Sequence, residues 1–213
     1  MKSALAAILV FSTCAFGQQF NEADTAALLS RLAASRSGHA IQAEFVEKRV
    51  LPMCSEPVVE KGTIAFEPPE RFLRKTKNLT VCDGTFLWMY YPEFQQVEKY
   101  PLASRGPGQL FTALGQALQF QKIAENFKVA ATGLEDGYRL ELSPRSGPLR
   151  RMLQSITLEL DKSLKLRSSI MAGKDGDRID TTYSNEKILP LGSINFSFTP
   201  PASATVVTPL GGG

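Results

Sequence analysis

Six consecutive residues, Phe86-Leu87-Trp88-Met89-Tyr90-Tyr91, carry no charge and are all bulky apolar or aromatic. They follow Asp83-Gly84, a two-residue hairpin signal, and so read as a strand. Side chains alternate across a strand, which puts Phe86, Trp88 and Tyr90 on one face and Leu87, Met89 and Tyr91 on the other. A sheet with one wet face would alternate apolar with polar residues. Here both faces ask to be covered. Ordinary burial under helices meets that demand. So does a face that lines a cavity for an apolar ligand.

Strand signals recur on both sides of this segment. Before it come residues 41–45, 58–66, 71–77 and 79–81, with 95–100 after it. A second series follows at 127–131, 138–142, 156–160, 165–171, 179–183 and 195–198, with Asp136-Gly137, Gly147-Pro148 and Asp175-Gly176 as turns. The short spacing predicts antiparallel meanders, since βαβ units need longer crossovers. Two helices interrupt the pattern. Asn21 caps the first, with Glu22 and Asp24 in its opening turn, Leu28, Leu29 and Leu32 at helical spacing, and Gly38 as its stop. The second spans 109–124, where Leu110, Leu114 and Leu118 lie four apart beside Phe111. Gly106-Pro107-Gly108 precedes it as a hinge. The expected fold class is α+β, mainly β: one curved antiparallel sheet forming an unclosed half-barrel, with helices on one side and the second helix as a lid.

The N-terminus reads as an export signal. Met1-Lys2 gives a positive start, residues 3–11 form an apolar run, and Ala15-Phe16-Gly17 places the cleavage before Gln18. The expected organisation is a signal peptide at 1–17, one domain at 18–207 and a disordered tail at 208–213. Cys14 opens a competing reading, lipidation after cleavage just before it, although Phe11-Ser12-Thr13 is a poor lipidation signal. Cys54 and Cys82 remain in the mature chain, and an even count in an oxidising compartment suggests a disulfide between them.

The usual catalytic and metal-binding patterns are missing. The single histidine, His39, follows the stop of the first helix and reads as a helix-end residue. No G-x-S-x-G elbow, phosphate-binding loop or C-x-x-C occurs. The net charge of +3 gives no dense basic patch for nucleic acid. The expectation is a protein that is not an enzyme, uses no cofactor or metal, and binds no nucleic acid.

The order of its motifs resembles the LolA family of periplasmic lipoprotein carriers. The matching residues begin at Ala43-Glu44-Phe45. They continue through Gly62-Thr63-Ile64-Ala65-Phe66, Pro69-Glu70-Arg71-Phe72 and Asp83-Gly84-Thr85-Phe86-Leu87-Trp88, and close with Phe196-Ser197-Phe198-Thr199-Pro200-Pro201. The resemblance implies a half-barrel whose apolar concavity holds lipoprotein acyl chains. On that basis the cavity and lid residues would be Phe45, Phe66, Phe72, Trp88, Tyr90, Leu110, Phe111, Leu114 and Leu118. It further implies a monomer in the periplasm that takes lipoproteins from an inner-membrane ABC transporter and delivers them to an outer-membrane receptor. Where the family carries a lid-latching arginine this chain has Pro68; Arg71 and Arg74 are the candidate replacements, and strand phase decides which points inward. The alternatives within the same fold are a lipidated outer-membrane acceptor, a carrier of another acylated lipid, and a periplasmic signalling module.

Overall fold

The computed structural model describes residues 17–102, 120 and 123–208. The strands are β1 (Gln18–Gln19), β2 (His39–Val50), β3 (Val58–Glu67), β4 (Arg71–Lys75), β5 (Leu79–Asp83), β6 (Phe86–Tyr91) and β7 (Gln96–Pro101), then β8 (Phe127–Leu134), β9 (Gly137–Pro144), β10 (Leu153–Asp161), β11 (Leu166–Gly173), β12 (Arg178–Pro190) and β13 (Thr205–Val207). The helices are α1 (Glu22–Arg36), α2 (Ile123–Asn126) and α3 (Gly147–Met152). All strands join one sheet in the order β1-β8-β9-β10-β11-β12-β2-β3-β4-β5-β6-β7-β13. Its edges, β1 and β13, do not pair, so the sheet is unclosed. Neighbours are antiparallel except β13, which runs parallel to β7. The fold is mainly β, as the turn spacing predicts.

Helix α1 forms where the sequence places it. The Asn21 side chain accepts from the Asp24 backbone N–H at 2.8 Å, satisfying one of the free donors of the first turn. Its buried residues are Thr25, Leu28, Leu32 and Arg36, a single stripe down the helix. Leu28 and Leu32 pack on Ala131, Leu140, Leu142, Leu158 and Leu160, which cross-strand register puts on one face of β8–β10. We call this the inner face. Burial of each such leucine contributes roughly 1.5–3 kcal/mol. No helix among the described residues is long and apolar enough to cross a membrane.

The last expected strand, 195–198, is not one. Those residues run as an extended cover over the outer face instead. Phe196 is buried, and the Phe198 ring lies 5.8 Å from Trp88 and 5.9 Å from Tyr90, centroid to centroid. Thr199 leads directly into Pro200-Pro201, and two prolines without N–H groups cannot extend a ladder. The chain rejoins the sheet only at β13.

The expected Cys54–Cys82 disulfide is absent: both cysteines are free, Cys54 exposed and Cys82 buried. Cys54 sits in the β2–β3 turn, beside the start of β3. Cys82 pairs with Phe72, which pairs with Phe66 near the other end of β3. Eight residues of strand separate Val58 from Phe66, roughly 26 Å at 3.3 Å each, whereas a disulfide needs Cα atoms within about 7 Å.

Candidate functional site

The inner face continues from β10 across β11, β12, β2, β3 and β4, beyond the part that α1 covers. Register fixes its residues. Ile41 lies opposite Phe66 and Ala43 opposite Ile64. Phe66 in turn lies opposite Phe72, with ring centroids 4.9 Å apart. Phe45 faces the same way, opposite Gly62. Where this surface meets the end of α1 it sinks into a cleft of about 530 Å³, counting the solvent at its mouth. Ile41, Ala43, Ile64, Phe66, Pro68 and Leu166 form the apolar wall.

The rest of the lining, Arg36, His39, Tyr183 and Glu186, is polar. Arg36 ends α1 with its side chain 7% exposed and meets Glu186, 6% exposed, at 3.4 Å. Arg36 Nη2 also donates to the Leu164 carbonyl at 2.9 Å, and its guanidinium lies 5.3 Å from the Phe120 ring centroid. Glu186 reaches this face through a bulge. The β12–β2 register shifts between Ser184 and Lys187, and Asn185 takes a left-handed φ of 55°. An extra residue in one strand re-aims the next side chain, and the Glu186 Oε2 so delivered accepts from the Leu166 N–H at 3.1 Å. The Tyr183 hydroxyl shares a 3.0 Å hydrogen bond with Ser169 Oγ, and burial raises its phenol above the ordinary value. His39 begins β2 at the mouth, exposed, its Nδ1 donating to the Ser37 carbonyl at 2.9 Å.

The residues singled out in the sequence divide between the two faces. Phe45, Phe66 and Phe72 come together on the inner face. Trp88 and Tyr90 point the other way, because Cys82 pairs with Leu87 and carries the inner face onto Leu87, Met89 and Tyr91. Strand phase separates the two arginines as well. Arg74, opposite Ile64, is inward. It lies 4.8 Å from the Phe45 ring centroid and bonds Glu47 at 3.1 Å and Glu60 at 3.0 Å. Arg71 is on the outer face, donating to Glu67 at 2.9 Å. Leu110, Phe111, Leu114 and Leu118 lie outside the described residues. Among the described residues no group of three or more His, Cys, Asp or Glu is placed to hold a metal ion.

Sequence reasoning missed Ile41, Ile64, Arg36, Tyr183 and Glu186. The spacing Thr25, Leu28, Leu32, Arg36 carries a signal for Arg36, since it extends the apolar stripe of α1 by one more turn. Nothing comparable marks Glu186, whose inward position depends on the bulge.

Residues 36–199 match the family described as "Outer membrane lipoprotein carrier protein LolA". The chain belongs to the LolA family. An outer-membrane lipoprotein carrier protein of Photobacterium profundum is 28% identical over 202 residues, covering 92% of each chain. One of Proteus mirabilis is 26% identical over 126 residues, 59% of this chain and 58% of its own length. Among solved structures, an uncharacterized conserved protein from Thermus thermophilus has the same fold, with a TM-score of 0.50 at 12% identity over 86% of this chain and 98% of its own. The LolA family is a carrier family, and the described half-barrel is its fold.

Proposed function

We propose that this chain is a periplasmic carrier that holds lipoprotein acyl chains against the inner face and moves them from the inner to the outer membrane. The observation that carries the reading is the uninterrupted apolar surface from Phe72 through Phe66 and Ile64 to Ile41, ending in a cleft. Each methylene moved from water onto such a surface contributes about 0.8 kcal/mol, so an acyl chain is held without covalent chemistry. The function needs no catalytic group, cofactor or metal. Phe45, Phe66 and Phe72 are the proposed cargo contacts, with the segment carrying Leu110, Phe111, Leu114 and Leu118 as the lid. Arg74 is the better placed of the two arginines to act on that side of the sheet. In this reading a monomer receives cargo from an inner-membrane ABC transporter and yields it to an outer-membrane receptor, and the names of the matched relatives support it.

The test is in-cell photo-crosslinking from Phe66, with mass-spectrometric identification of the adducts. Acylated lipoproteins, displaced by a free acyl ligand, are expected. Non-protein lipid adducts would change the cargo. Adducts to soluble proteins alone would overturn the carrier reading in favour of a signalling module.

A further inference from the structure

The β2–β3 hairpin overhangs its neighbours on one side. β3 pairs with β4 only as far as Thr63, so residues 58–61 have no strand partner on that side among the described residues. Nine large apolar side chains are exposed among the described residues, and five of them lie on this overhang or beside its tip: Val46, Met53, Val58, Val59 and Met152. Met53, in the turn itself, is 99% exposed. Met152 joins the tip through the β11–β12 turn. Its carbonyl accepts from the Lys174 N–H at 3.3 Å, and a Cβ on Gly176 in that turn would lie 3.1 Å from the Pro52 side chain. Exposed apolar residues gathered at one end of a fold mark an interaction surface, where the same residues scattered singly would not.

What lies between these tips says what covers them. The segment 145–152 that holds α3 carries Arg145, Arg150 and Arg151 and no acid, and Lys174 stands next to Met152. All four are exposed, and so are Lys48 and Arg49 before the β2–β3 turn. The exposed acids at this tip are fewer: Glu56, Asp175 and Asp177. A protein interface gathers its apolar residues into a core depleted of charge. Here methionine and valine are interspersed with arginine and lysine. That pattern fits a bilayer surface, where apolar tips enter the acyl boundary and long basic side chains stay at the headgroup phosphates. Prolines favour the same environment. Pro52 and Pro57 bracket Met53, and Pro148 lies in the first turn of α3. A proline has no backbone N–H to strip of water.

We propose that this end of the sheet docks on the surface of an anionic lipid bilayer, with Met53 and Met152 entering the acyl boundary and Arg150, Arg151 and Lys174 meeting the phosphates. The docking does not depend on the carrier reading and goes beyond it. It would serve a carrier directly, because a recess lined by Arg74, Met89 and Tyr91 of the inner face reaches Val58 on the overhang.

Cys54 adjoins Met53 and is exposed, whereas Cys82 is buried. An environment-sensitive NBD dye on Cys54, in the Cys14→Ser protein, therefore reports the tip. The protein is titrated with vesicles of phosphatidylglycerol and phosphatidylcholine in equal parts, and with vesicles of phosphatidylcholine alone. The mixed vesicles should carry the protein down on sedimentation and shift the dye emission to the blue, and added salt should weaken both effects. Met53→Asp should lower affinity for the mixed vesicles about tenfold, equivalent to about 1.4 kcal/mol. Arg150→Gln with Arg151→Gln should do the same. Leu191→Ser, at the other end of the sheet, should change nothing. These positions are exposed, so the thermal transition should stay in place. No blue shift with the mixed vesicles, equal affinity for phosphatidylcholine alone, or equal loss in Leu191→Ser overturns the proposal. A blue shift that grows with protein concentration without vesicles would assign the tip to a second copy of the chain and overturns it too. Loss of vesicle binding in Phe66→Asn as large as in Met53→Asp would place the lipid on the inner face and overturn the docking while leaving the carrier reading in place.

Discussion

The indole N–H of Trp88 donates to Asp83 Oδ2 at 2.8 Å, tying the β5–β6 turn to the strand it launches. The other oxygen, Oδ1, accepts from the backbone N–H groups of Thr85 and Phe86, each at 2.8 Å. Burial alone would raise this carboxyl; the donors from Phe86, Trp88 and Thr85 outweigh it and hold the group below its ordinary 3.8. A depressed folded-state value contributes stability that is present above the unfolded value and lost as pH falls through the folded one. Asp83→Asn should cost about 1–2 kcal/mol at neutral pH. It should also flatten the loss of stability on acidification below about pH 4. Urea unfolding followed by Trp88, the sole tryptophan, checks both. An acid limb parallel to the wild type's would assign the acid sensitivity to another carboxylate.

Gly62 lies where a Cβ would sit 2.0 Å from the Lys75 carbonyl oxygen. A backbone atom cannot turn aside as a flexible side chain can. Gly62→Ala should therefore push β3 and β4 apart and destabilise the protein by about 1–3 kcal/mol, as small overpacking changes do. Chemical denaturation measures it. A neutral result would mean that the β3–β4 ladder yields locally at no cost.

Much of this fold is legible in the chain because its signals are local. Asp83-Gly84 fixes a hairpin, and Asn21 with the Leu28/Leu32 stripe fixes α1, since turn chemistry and helical spacing each act within a few residues. The candidate site is less legible for a geometric reason. Alternation along β6 says that Trp88 and Met89 face opposite ways, but only the register from β2 through β5 says which of them shares a side with Phe45. One register step reverses every side chain. The same holds for Arg71 and Arg74, three residues apart and on opposite faces. Glu186 is harder still, because its direction is set by a bulge beside Asn185 that leaves no periodic trace.

Arg36 and Glu186 form a buried pair, and each is costly without the other. Arg36→Met should destabilise the protein by about 3–5 kcal/mol by stranding the carboxylate, and Glu186→Leu should do comparable damage by stranding the guanidinium. The double variant should be far less destabilised than the sum, since a buried pair exchanged for apolar residues is often nearly neutral. A double-mutant cycle by urea unfolding reads the coupling. Strict additivity would mean that the two charges act independently.

The thiols should report their own environments. Cys54 is exposed in the β2–β3 turn, while Cys82 is buried with its Sγ donating to the Glu70 carbonyl at 2.7 Å. Burial, with the nearby charges of Asp83 and Glu70, pushes the Cys82 thiol above its ordinary value. A thiol reacts as its thiolate. Iodoacetamide at mildly alkaline pH should label Cys54 in the native protein and Cys82 only after unfolding, as read by peptide mapping. A tryptic peptide pair joined through the two sulfurs would contradict the structure.

The two faces of the sheet should respond to different substitutions. Phe66 lines the inner cleft, whereas Phe198 packs on Trp88 and Tyr90 across the sheet. Phe66→Asn places an amide in the apolar wall, where it lacks a partner. It should weaken methyl palmitate binding at least about tenfold and leave the Trp88 emission maximum in place. Phe198→Ala removes two aromatic contacts, worth about 0.5–1.5 kcal/mol each beyond the area they bury. It should shift Trp88 emission to the red, lower the denaturation midpoint and leave ester affinity unchanged. Equal loss of binding in both variants would mean that the outer aromatic cluster takes part in holding cargo, and the division of labour between the faces would fail.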